Sequence, residues 1–247
     1  MKLEYEVDDG IGSRAKLGVI VLETDETLEP EFSRMTDLDG VALYHSRIAM
    51  ETDINAKTLA RMEQDIPAAT RLLPARALDV IGYGCTSGAT IIGPEAVARA
   101  VQSECPDAQV TNPLTAIIAA GQSLQATRLA FVTPYVAQVS LQMREELERA
   151  GFEIAAFGSF EQSDDRMVAR ITPQAILKAA LSVAAQAPCD AIVISCTNLR
   201  CLGIIPKIEA QSGLPTISSN QALAWHMLRL AKVNDKRPSF GRLFTVT

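Results

Sequence analysis

Histidine is almost missing from this chain: His45 and His226 are the only two in 247 residues. Chemistry built on several imidazoles, as metal ligands or as a proton relay, therefore has little material, and another side chain must move protons. Basic charge is also in deficit. The net charge is −6 and the pI about 5.1, so no positive field attracts a nucleic-acid backbone or an anionic membrane surface. Long apolar runs are absent as well. Stretches such as Leu129–Val132 and Ala191–Ile194 have strand length, far below the ~20 residues needed to cross a bilayer. The opening MKLEYEVDDG is acidic and polar where a secretory signal needs a basic start and an apolar run. A cytoplasmic protein with no membrane or nucleic-acid partner is expected. Cysteine is present five times, but no pair has the C-x-x-C spacing of a zinc site or a dithiol redox centre. Reduced thiols and no metal are expected.

What is present is enough apolar material, 48% of residues, to build one large or two small α/β cores. Strand signals fall at Leu17–Val21, Val41–Tyr44, Val80–Tyr83, Gln109–Thr111, Leu129–Val132, Phe152–Phe157, Ala191–Ile194 and Thr216–Ile217. Helical spacing covers Lys57–Leu73, Pro94–Ser103, Leu114–Gln125, Val136–Ala150, Pro173–Ala187, Ile204–Gln211 and Gln221–Ala231. Thr172-Pro173 punctuates one helix start, and Gly151 one helix end. Strand and helix in alternation predict mostly parallel sheet covered on both faces.

An internal echo carries more information. Asp79-Val-Ile-Gly-Tyr-Gly-Cys85-Thr86 and Asp190-Ala-Ile-Val-Ile-Ser-Cys196-Thr197 share D-x-I-x-x-x-C-T. Lys16-Leu-Gly-Val-Ile-Val21 returns in character as Arg128-Leu-Ala-Phe-Val-Thr133 at nearly the same displacement. Two copies of one α/β unit are expected, although any two parallel strands entered from an Asp-capped turn look somewhat alike. Ligands of open α/β sheets sit beyond the carboxyl ends of the strands, and both Cys-Thr pairs lie at such ends. Two halves packed face to face would aim both thiols into one cleft.

A lone cysteine at a strand end is often only a small buried apolar residue. A matched pair is better explained by chemistry. Each sulfur should lie among backbone N–H groups and a helix N-terminus, which lowers a thiol pKa from ~8.5 toward neutrality. A thiolate on one wall and a thiol on the other provide a base and an acid on opposite faces of a carbon beside a carboxylate. A thiolate also adds reversibly to an activated double bond and permits rotation. Either route places charge on carboxylate oxygens, which Thr86, Ser87, Thr197 and nearby N–H groups would stabilise. Cys105, Cys189 and Cys201 have no such echo and read as structural. Gly82-Tyr-Gly84-Cys-Thr-Ser-Gly88 misses the dinucleotide-binding glycine pattern by one place, and the second copy drops the glycines; no cofactor is expected.

These two segments resemble the aspartate/glutamate racemase superfamily, in its maleate cis-trans isomerase and arylmalonate decarboxylase branch. The resemblance extends to Thr133-Pro134-Tyr135 and the closing Arg237-Pro-Ser-Phe-Gly-Arg-Leu-Phe244. It implies two pseudo-symmetric Rossmann-like domains, each a four-stranded parallel sheet flanked by helices, with the site in the cleft between them. Their expected extents are 1–117 plus 222–247 for the first and 118–221 for the second. Cys85 would be the nucleophile or first acid/base and Cys196 the second. Tyr135, with Thr86 and Ser87, would bind the substrate carboxylate, and the assembly would be a homodimer or homotetramer.

Decarboxylase members have glycine where this chain has Cys85, so retention of both thiols points to isomerisation or racemisation, with decarboxylation as the alternative. A solute-binding module without chemistry also has two lobes around a cleft, but it gives no reason for matched thiols. The maleate isomerases carry asparagine where this chain has Asp25 and Asp165. A substrate that keeps one carboxylate and presents a cationic or N–H-rich group to these aspartates is expected, unless they are merely loop caps. Val21–Glu29 is also similar to ectoine-utilisation members of the branch, whose ligands have that character.

Overall fold

The computed structural model describes residues 1–8, 10–51, 55–74 and 78–247. Eight strands form two sheets: β1 (Ala15–Leu22), β2 (Val41–Ile48), β3 (Val80–Gly84) and β4 (Gln109–Thr111) in one, β5 (Arg128–Tyr135), β6 (Glu153–Gln162), β7 (Ala191–Ile194) and β8 (Thr216–Ser218) in the other. The spatial orders are β2-β1-β3-β4 and β6-β5-β7-β8, with every pairing parallel. The second sheet repeats the first strand for strand. All eight expected strands are present, and the duplication has a physical signature.

That signature is the aspartate of the echo. Asp79 Oδ2 accepts the Lys16 N–H at 2.7 Å, while its own N–H donates to the Lys16 carbonyl. Asp190 does the same at Arg128, with a 2.8 Å bond to the backbone N–H and the reciprocal bond to the carbonyl. Each aspartate thus fixes the start of a cysteine-bearing strand against its central neighbour. The two sequence echoes are two ends of one repeated contact.

Helices cover the sheets: α1 (Leu28–Met35), α2 (Ala56–Arg61), α3 (Ile66–Arg71), α4 (Thr86–Ile92), α5 (Pro94–Gln102), α6 (Pro113–Ser123), α7 (Ala137–Arg149), α8 (Asp165–Arg170), α9 (Pro173–Ala184), α10 (Ile205–Ser212) and α11 (Ser219–Leu230). The caps read from the sequence are in place. Thr172 Oγ1 accepts the Ala175 N–H at the start of α9, and Gly151 takes φ +95° beyond the end of α7, a conformation that favours glycine.

Three features differ from what the sequence signals. The helix expected over Lys57–Leu73 is broken into α2, a 3₁₀ turn at Met62–Gln64 and α3, because Pro67 has no N–H to continue the ladder. Helices α1 and α8 occupy stretches for which the sequence signalled no element; Pro30 is tolerated in α1 because it lies in the first turn, where N–H groups need no helical partner. Finally, no helix opens after Cys196. Residues 195–204 run without helix or strand before α10 begins.

Buried apolar residues of both halves form one continuous core. Helix α11 follows the last strand of the second sheet yet packs on α1, α6 and β3. Among the described residues no helix is long and apolar enough to cross a membrane.

Candidate active site

Both cysteines lie at carboxyl ends of equivalent strands, Cys85 directly after β3 and Cys196 two residues after β7. Tyr135 ends β5, Asp25 follows β1 by three residues, and Asp165 follows β6 by three. Cys85, Cys196 and Tyr135 are each 2% exposed, Asp25 2% and Asp165 4%. The cleft is closed over them. Tyr135 is a polar neighbour of both sulfurs, and Asp25 and Asp165 act on both thiols. The residues therefore make one buried polar cluster between the sheets.

Cys85 is the N-cap of α4: its Sγ accepts the Gly88 N–H at 3.1 Å, and the Ser87 hydroxyl lies 3.7 Å away. Glycine at 88 is required by space, since a Cβ there would stand 2.9 Å from that sulfur and 2.8 Å from the Tyr83 hydroxyl. Cys196 accepts the Asn198 N–H at 3.3 Å. These donors favour a thiolate, but burial outweighs them. Cys85 is pushed up to about 12 by loss of water, with Asp165 and Asp25 adding to the rise. Cys196 is likewise raised well above an ordinary thiol, first by burial and then by Asp165. The expected near-neutral thiolate is thus corrected: in the closed cleft both cysteines are thiols, because desolvation and two carboxyls oppose the charge.

Among the described residues the carboxyls have no basic partner. Asp25 Oδ1 caps α1 by accepting the Thr27 and Leu28 N–H groups, both at 2.8 Å. Its Oδ2 is buried with no hydrogen-bond partner; the Thr197 side chain is a polar neighbour of the carboxyl without making a well-formed bond to that oxygen. Burial raises Asp25 to about 6, with Asp165 contributing. Asp165 Oδ2 accepts the Thr24 hydroxyl at 2.6 Å and the Asn198 amide at 3.0 Å, and burial raises it too. Among the described residues neither carboxyl forms a salt bridge, and no group of His, Cys, Asp and Glu is arranged to hold a metal.

One expected residue points elsewhere. Thr86 and Ser219 share a 2.9 Å hydroxyl bond, which engages Thr86 with the start of α11 rather than with the sulfur. Thr197, its counterpart in the echo, stays with the cluster through Asp25. The same Cys-Thr dipeptide therefore plays two different parts in the two halves.

The family model for arylmalonate decarboxylase matches residues 23–244. The chain belongs to the arylmalonate decarboxylase family. Its relatives in that family include a maleate isomerase of Nocardia farcinica, 28% identical over 92% of this chain and 94% of the relative. An arylmalonate decarboxylase of Bordetella bronchiseptica is 29% identical over 54% of this chain and 57% of its own. The crystal structure of the Nocardia farcinica maleate cis-trans isomerase bound to TRIS superposes with a TM-score of 0.85 at 25% identity, covering 94% of this chain and 98% of that one.

In this member of the arylmalonate decarboxylase family, several residues not singled out in the sequence hold the halves together next to Cys196. The Asn198 amide nitrogen donates to the Thr24 carbonyl and to Asp165, its oxygen accepts the Glu26 N–H, and its carbonyl accepts the Thr27 hydroxyl. Outside it, Arg170 makes two bonds to the Glu26 carboxylate, at 2.8 and 2.9 Å. Asn198 was visible beside the Cys-Thr echo. Its role was not, because its partners in the first half are more than 140 residues away.

Proposed function

We propose that this chain is a cofactor-independent isomerase of a small carboxylic acid, acting through Cys85 and Cys196. The observation that carries the reading is the pair of thiols at equivalent strand ends, sharing Tyr135 and two carboxyls in one buried cluster. In the addition route, one sulfur passes its proton to a carboxylate of the cluster, which returns it when the sulfur leaves, and forms a C–S bond to the alkene. The π electrons move onto the neighbouring carboxylate, rotation occurs about the new single bond, and the sulfur leaves with the alkene restored. In the proton-transfer route, one thiolate removes the proton beside the carboxylate while the opposite thiol returns one to the other face; the two sulfurs exchange roles and no atom is lost. Tyr135 and Ser87 would donate to the developing oxyanion.

The substrate brings a cationic or N–H-rich group as well as its carboxylate. Asp25 offers a buried oxygen with no partner, and a cation there would neutralise the carboxyls that help hold both thiols protonated. A dicarboxylate would instead add charge of the same sign, at a cost of about 4 kcal/mol for a pair ~4 Å apart at an effective dielectric near 20.

Incubating the protein in deuterated water with maleate, with α-amino acids and with cyclic amidine acids, followed by NMR, tests both parts. Exchange at the α carbon or inversion of a cationic acid supports the reading. Conversion of maleate at a rate unchanged by Asp25→Asn would reject the substrate class. Release of carbon dioxide from an arylmalonate as the main reaction would reject the isomerase.

A further inference from the structure

We propose that Glu31, on α1 of the first half, is a positioning residue for the second-half segment that carries Cys196, Thr197 and Asn198. The proposal gives that segment its part in the two-cysteine reading above, but its contacts are independent of any substrate.

Residues 195–204 have neither helix nor strand to hold them, so their shape depends on bonds from outside. Glu31 is 8% exposed and supplies three. Its Oε1 accepts the Cys201 N–H at 2.9 Å and the Leu202 N–H at 2.8 Å. Its Oε2 accepts the Asn220 side-chain amide at 2.9 Å. The same Asn220 nitrogen donates its other hydrogen to the Thr197 carbonyl at 2.8 Å. One carboxylate therefore grips the segment at its far end directly and beside Cys196 through Asn220.

Every partner of Glu31 is a donor, so the arrangement fits the ionised form. A protonated oxygen would present its own hydrogen to an N–H group and weaken one of the three bonds. No Lys or Arg forms a salt bridge to it among the described residues. Burial raises Glu31 to about 7, with a smaller push from Asp25, and the Cys201 thiol facing it is raised in turn. The clamp is therefore set to loosen on acidification through neutrality.

Amide hydrogen exchange on the full chain between pH 5.5 and 8.5, corrected for intrinsic rates, tests this without a substrate. In the wild type, protection in 196–204 should fall about 10-fold on acidification through 7, the effect of weakening one charge-assisted bond. In Glu31→Gln it should be low at every pH and flat, because the amide places N–H against N–H at Asn220. Glu31→Asp should recover part of the pH dependence, while β7 and α4 keep wild-type protection in all variants. If Glu31→Gln yields no folded protein, Asn220→Ala should loosen 196–198 and leave the pH response of 201–202 intact. Wild-type protection and pH profile in Glu31→Gln, or loss of protection spread evenly over both sheets, would overturn the proposal. For any acid the protein converts, kcat should fall about 10-fold in Glu31→Gln with KM held. Absence of turnover on every acid would count against the isomerase reading alone, since exchange decides the role of Glu31 separately.

Discussion

Replacing Asp25 with asparagine should stabilise the protein, and should do so only where the carboxyl is ionised. The Thr27 and Leu28 N–H groups bond to Oδ1, which the asparagine carbonyl keeps. The amide nitrogen then takes the position of Oδ2, which has no partner, with the Thr197 hydroxyl nearby to accept. The folded state raises Asp25 from 3.8 to about 6, and at ~1.36 kcal/mol per pKa unit this burial of charge costs about 3 kcal/mol. A carboxyl raised in the folded state costs nothing below its unfolded pKa, where both states are protonated, and its full penalty appears once the pH exceeds the folded pKa. The advantage of Asp25→Asn is therefore about 3 kcal/mol at pH 8, about half that at pH 5, and nil below 3.8. For a chain of this length that is roughly 6–12 °C in Tm at pH 8. Thermal unfolding of both proteins at pH 8 and pH 5 measures it. A lower Tm in the variant, or an equal gain at both pH values, would show that Asp25 is not a buried, uncompensated charge.

Other changes probe the cluster separately. Cys85→Ser and Cys196→Ser should each lower turnover by about 10³-fold or more, and the double variant should be little worse than either single one, because the thiols act as a unit; initial rates on a converted acid check this. Gly88→Ala drives a Cβ to 2.9 Å from the Cys85 sulfur and should cost about 1–3 kcal/mol of stability, read from the unfolding midpoint. Asn198→Ala leaves the Glu26 N–H unpaired and removes one donor from Asp165; a loss of about 2 kcal/mol or more is expected, with faster alkylation of Cys196 by iodoacetamide as the cleft opens.

The strands were legible because each is a short apolar run between turn residues, and the repeat was legible because an aspartate and a cysteine occupy matching ends of equivalent strands. What the sequence concealed depends on distance along the chain. Glu31 meets Cys201 and Asn220 across 170 and 189 positions, and nothing local marks it out from a solvent-facing helix residue. Thr86 and Thr197 look identical in the echo, yet one turns to Ser219 and the other to Asp25. The thiol pKa is hidden for a related reason: N–H donors beside a cysteine are visible in sequence, whereas the loss of water around it belongs to packing. Pro67, by contrast, is a local signal that interrupts the helical spacing over Lys57–Leu73.

The claim on which the rest depends is that one acid meets both sulfurs. A crystal structure of Cys196→Ser with the converted acid bound tests it most directly. The substrate's reacting carbon should lie between the Cys85 sulfur and the hydroxyl introduced at position 196, with a cationic or N–H group against Asp25. An acid bound outside this cleft, or touching one of the two positions while the other faces a separate core, would contradict the account.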